Sequence, residues 1–182
     1  MACLVIVEGI SDMGVVEGIA EKIKRSIDCR RMRGNRPDKI ARIIRAEAMR
    51  KRYEKAIVLK DVHKRSEEDL ARIFNEIRRA VDGIINVDCI PVKRAVEAWI
   101  LAGRCVRNAE EIMDPDEYLD RMMRKDGKRY IKSRSLARKL ALEIDLERAI
   151  KYSPTLRAFI DLLRDAEQNN LRGSLNLAES GF

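Results

Sequence analysis

Aromatic side chains make up only 4% of this chain, glutamine occurs once, at Gln168, and histidine once, at His63. With so few aromatic faces, stacking on unpaired bases can be only a minor means of recognition. The shortage of amides beside dense Arg, Lys and Glu resembles proteins of hot environments, where charge networks replace thermolabile side chains. Four cysteines, Cys3, Cys29, Cys89 and Cys105, lack the short paired spacing of a zinc site. Cys3 and Cys89 fall within apolar segments and read as small buried hydrophobes. No apolar run approaches the roughly 20 residues that cross a bilayer. The N-terminal apolar stretch stops at Glu8, too early for a secretory signal. A cytoplasmic protein without a membrane partner is the expectation.

What is present fits one folded unit. The chain has 182 residues, 46% of them apolar, enough for a core with a helical annex. Its net charge of +8 is spread along the chain rather than gathered in a basic tail. A polyanionic partner follows from that excess, and a densely charged, solvated surface is the competing account.

Residues 2–7 and 56–60 are near-continuous apolar runs, the pattern of strands covered on both faces. Residues 29–33 carry three arginines and so belong at a sheet edge, and residues 84–92 make a further strand. Between them, helical spacing runs from a cap at Ser11 through Ile27, from Asp38 to Tyr53, and from Ser66 to Val81. Ala95 to Leu101 begins another helix, with Val96, Trp99 and Ile100 on one side. Strand and helix alternate over residues 1–103, which predicts an α/β fold with a mostly parallel central sheet flanked by helices. Residues 104–166 show only helical periodicity, at 110–113, 117–123, 136–144 and 156–163. That is too little core for an independent bundle, so a C-terminal helical extension packed on the sheet is expected. Residues 167–182 read as a polar tail.

Ligands of open α/β sheets sit at the carboxyl ends of strands, where acidic residues from separate segments can converge on one metal ion. Glu8 follows the first strand and Asp61 the central one. Asp12 lies in a first helical turn, where the dipole also favours an acid. Glu97 shares a helix with Trp99, which itself reads as core rather than as a stacking platform.

These segments resemble the Toprim domain family, in which an acidic residue in a Glu-Gly context ends the first strand and an Asp-x-Asp pair ends a later one. Glu8-Gly9-Ile10-Ser11-Asp12 and Asp61-Val62-His63 occupy those places. Glu97-Ala98-Trp99 and Ser153-Pro154-Thr155-Leu156, leading into Phe159, Ile160 and Leu163, are similar to motifs of small, uncharacterised Toprim-related proteins that resemble the OLD-type nuclease domains of defence loci. The resemblance spans most of residues 1–166. It implies a Toprim-like fold and metal-dependent phosphotransfer on nucleic acid, with Mg2+ or Mn2+ as cofactor. Glu8 and Asp61 would be the catalytic residues, and Glu8, Asp12, Asp61, His63 and Glu97 the metal ligands. His63 replaces the usual second Asp, which softens the ligand set toward manganese or zinc and is also compatible with a lost activity.

Arg31, Arg33, Arg36, Lys39 and Arg42 surround the second helix, and Lys64 and Arg65 follow Asp61. Such cations hold a phosphate backbone without reading its sequence. An exposed, salt-bridged helix face is the alternative. An inactive Toprim-like module that binds nucleic acid or a partner ATPase through this basic face is the competing function. A flavodoxin-like nucleotide-binding or receiver-like protein ranks lower, because one glycine after the first strand is too few for a phosphate-cradling loop.

Overall fold

The computed structural model describes residues 2–62 and 66–165. Ala2–Val7 forms β1, Ile27–Arg31 β2, Tyr53–Asp61 β3 and Val87–Val92 β4, all parallel in the order β2-β1-β3-β4. Parallel neighbours need crossovers, supplied by α1 (Ile10–Lys22), α2 (Pro37–Arg50) and α3 (Glu67–Ala80). The architecture is the α/β sheet flanked by helices that the alternation predicts.

Each strand feeds two cores because successive side chains point to opposite faces. Cys3, Val5, Val7, Ile57 and Leu59 pack with Val15, Ile19 and Trp99. Leu4, Ile6, Ala56 and Val58 pack with Ile40 and Ile44 of α2 and Phe74 and Ile77 of α3. Every residue of β1 is buried, which explains its unbroken apolar run.

Several boundaries differ from expectation. β2 is an edge strand, as its arginines predict, but it includes Ile27, which helical spacing assigned to the first helix. α1 ends at Lys22, and Lys24 turns the chain at φ 57°. Ser11 is not the cap but lies inside α1, whose N-cap is Gly9. The Asp12 carboxylate reaches back to accept the Gly9 N–H at 2.7 Å, the N3 half of a capping box. Tyr53 opens β3 instead of closing the second helix, and its hydroxyl donates to Asp28 Oδ2 at 2.9 Å.

After α4 (Glu97–Gly103) and a 3-10 turn at Ala109–Glu111 come α5 (Pro115–Lys125), α6 (Arg134–Glu143), α7 (Leu146–Tyr152) and a helix over residues 154–165, α8. α7 went unseen in the sequence because seven residues hold too few apolar positions to show a period. These helices share the Trp99 side of the core, reaching the sheet through α1 and α4. Trp99 is fully buried, stacks on Phe159 with ring centroids 5.3 Å apart, and donates from Nε1 to Thr155 Oγ1 at 2.9 Å. The buried Glu110 carboxylate accepts from the Ser153 hydroxyl and from Thr155 Oγ1 and N. The Glu97-Ala98-Trp99 and Ser153-Pro154-Thr155 segments thus meet in one buried polar network.

α6 lies directly on the backbone of α1. A Cβ at Gly14 would stand 2.1 Å from the Arg134 carbonyl oxygen, and one at Gly18 would stand 2.7 Å from Ala141 Cβ. Gly14→Ala should therefore destabilise the fold by about 2 kcal/mol in urea unfolding, overpacking outweighing the gain in helix propensity. An unchanged or higher midpoint would show that the two helices part easily.

All four cysteines are free; Cys3 and Cys29 are buried, whereas Cys89 is half-buried and Cys105 exposed. Among the described residues no helix is long and apolar enough to cross a membrane. The polar tail, 167–182, lies outside the described residues, as do His63, Lys64 and Arg65.

Candidate metal centre and nucleic-acid interface

The chain leaves β1 toward β2 on one side and returns past it to β3 on the other, so the crossovers diverge between the carboxyl ends of β1 and β3. Open α/β sheets bind ligands in the crevice at such a divergence. Ile6 pairs with Val58, and Asp61 pairs with Val92 of β4, so the residues just beyond β1 stand beside the end of β3. Glu8 Oε1 accepts the Asp61 backbone N–H at 3.3 Å. Asp12, on the first turn of α1, and Glu97, the first residue of α4, complete the group. Four separate elements thus contribute one carboxylate each to this rim.

Their mutual field is visible in the proton affinities. Burial, followed by the charges of Asp12, Glu8 and Glu97, pushes the Asp61 carboxyl up to about 8. Burial, then Glu97, with Glu8 adding less, pushes Asp12 up to about 6 against the opposing Gly9 N–H bond. Asp12 and Glu97 are 8% and 2% exposed. At neutral pH the crowded site therefore favours uptake of positive charge, as a proton or as a cation.

Three further residues complete the rim, and the sequence did not single them out. Lys60 has a fully buried side chain, and its Nζ donates to Glu8 Oε1 at 2.8 Å and to Asn35 Oδ1 at 3.1 Å. It offsets the Glu8 carboxylate. Tyr130, from the segment between α5 and α6, donates its buried hydroxyl to Glu97 Oε1 at 2.9 Å. Burial and the Glu97 charge raise its pKa. Lys132, two residues on, bonds to Asp116 at 2.8 Å. Its burial opposes the charged form, but Asp116 and the fields of Glu97 and Asp12 hold its pKa above the usual value. A lysine at the end of an otherwise apolar strand was the only available clue, and for Tyr130 and Lys132 there was none.

A groove of about 750 Å3 runs along the outer edge of β2 and α2, lined by Arg31, Arg33, Lys39 and Arg42, by Arg30 paired with Glu47, which also lines it, by Arg134 paired with Glu17, and by Met13, the neighbour of Asp12. Arg31, Arg33, Lys39 and Arg42 make no ion pair with any described residue, which weighs against a salt-bridged helix face there. Arg36 stands apart, bonded to Asp38 at 3.0 Å and absent from the groove lining. A larger cleft of about 960 Å3 opens at the opposite rim between the starts of β3 and β4. It contains none of the candidate residues, and its Lys55 and Asp88 are bonded to each other at 2.9 Å.

Oxygen donors carrying excess negative charge suit a hard divalent cation. Among the described residues, however, no three Asp, Glu, Cys or His side chains are close enough to hold a common ion as they stand. The donor chemistry would suit Mg2+ or Mn2+, but the carboxylates as they stand are too far apart to share one ion. No known family matches this chain, and no curated protein is detectably similar to it.

Proposed function

We propose that this chain is a divalent-metal-dependent phosphotransferase acting on nucleic acid, and specifically a Toprim-type nuclease. The observation that carries the proposal is the set of four carboxylates, from the ends of β1 and β3 and the starts of α1 and α4, sharing one field at the sheet's divergence point beside a cation-lined groove. Asp61, Asp12 and Glu97 would hold Mg2+ or Mn2+, which supplies Lewis-acid activation of water and neutralises charge developing on the scissile phosphate. Glu8, pinned through Oε1 by Lys60, offers its second oxygen as proton acceptor for the attacking water. Tyr130 orients Glu97, and the groove arginines hold the flanking phosphates.

Incubation with labelled DNA and RNA in Mn2+ or Mg2+ tests this. Cleavage of one of them, abolished by EDTA, is the expected result; intact DNA and RNA in both metals would overturn it.

The spacing of the carboxylates favours one second reading, an inactive module that binds nucleic acid or a partner ATPase through the groove. It requires salt-sensitive binding that is indifferent to metal.

A further inference from the structure

Among the described residues two lysines stand in the field of the acidic cluster, and of these Lys132 has the freedom to meet a substrate. Lys60 is fully buried and held by Glu8 and Asn35. Lys132 has a side chain 57% exposed, tethered only to Asp116 at the rim. It sits on the irregular segment 128–133, which joins α5 to α6 and ends in extended backbone at Ser133, φ −136° and ψ 150°. Tyr130 reaches inward to Glu97, Ile131 between them is 68% exposed, and Arg134 lines the basic groove. Lys132 lies between Tyr130 and Arg134 in the chain, two positions from the phenol that bonds Glu97, and its ammonium feels the charges of Glu97 and Asp12. A phosphate moving from the groove toward that cluster enters a field of like charge and needs a cation at the crossing point.

We propose that Lys132 contacts the phosphate presented to the acidic cluster, exchanging its bond to Asp116 for one to a phosphate oxygen. The exchange swaps one exposed ion pair for another and so carries little intrinsic cost. The helical extension then supplies substrate contacts to a site whose carboxylates all belong to residues 1–103. This inference rests on the metal-dependent reading of the cluster given above.

The test is calorimetric and uses the full chain. Mn2+ is titrated into the native protein, K132M, K132R and D116N, and inorganic phosphate is then titrated into each Mn2+-loaded protein. K132M should bind Mn2+ no more weakly than the native chain but phosphate about tenfold more weakly, the loss of one charge-assisted contact. K132R should recover part of that loss, and D116N, which frees Lys132, should bind phosphate at least as well as the native chain. Phosphate affinity unchanged in K132M with Mn2+ bound would overturn the role of Lys132 while leaving the metal site standing. A native chain that takes up no Mn2+ would instead overturn the metal-dependent reading, and this inference with it.

Discussion

Asp61→Asn is expected to stabilise the metal-free protein at pH 8 and at the same time to reduce metal-dependent cleavage by at least about 10³-fold, the scale on which lost electrostatic stabilisation is measured. Both effects have one cause. Burial, with Asp12, Glu8 and Glu97 nearby, lifts the Asp61 carboxyl from the usual carboxylate range to about 8. Between about pH 4 and pH 8 the folded chain therefore keeps a proton there that the unfolded chain has released. Stability is greatest below the unfolded value and falls as pH rises through the folded one, by up to about 1.4 kcal/mol per pH unit for one such group. Asp12 adds a smaller decline ending near pH 6. Carboxylates held down by cations, such as Glu47 beside Arg30, act with the opposite sign, but only in acid. Urea unfolding from pH 6.5 to 8 in EDTA isolates Asp61. The native chain should lose stability across that span, and Asp61→Asn should lose markedly less. Adding Mn2+ should reverse the native trend, since a bound cation favours the ionised carboxylates and its affinity rises with pH. Parallel profiles for the two proteins in EDTA would refute the crowding of charge at this rim.

The second large effect is expected at Lys60. Lys60→Met keeps most of the side-chain length and apolar stem but leaves Glu8 and Asn35 without their ammonium partner. Removing one member of a buried pair typically costs about 3–5 kcal/mol, because the survivor remains as an uncompensated charge. Lys60 also restrains the Asp61 carboxyl, so its loss should raise that group's proton affinity further and make stability more pH-dependent. Lys60→Met combined with Glu8→Gln should recover much of the loss, since neither charge then remains. A single substitution with no thermodynamic effect would mean that the ammonium is readily replaced by water.

The parts legible in the sequence were those that depend on short stretches of chain. β1 and the middle of β3 announce themselves because burial on both faces demands an apolar run, and Glu8 and Asp61 stand out as the acids that close β1 and β3. Edge placement of β2 followed from its arginines. Lys60 was invisible because a polar residue in the last turn of a strand normally reaches solvent, and only the fold shows that Glu8 and Asn35 close over it. Ser11 misled because a serine at a helix start is the commoner cap, whereas here a carboxylate three residues beyond Gly9 takes that N–H. Tyr130 and Lys132 could not be found by spacing at all. Their place at the rim is set by how α6 seats on α1, a relation between residues more than a hundred positions apart.

The glycine seam between α1 and α6 also governs how this chain can be divided. The helix that begins with Asp12 is the one whose flank is sealed by residues 134–141. Cutting after Gly103, where the alternation of strand and helix ends, would bare Val15, Val16, Ile19 and Trp99 to water and strip Glu97 of its phenol. The smallest working portion of this protein therefore includes the helices up to Asp165, and the annex cannot be exchanged or trimmed without reshaping the acidic rim.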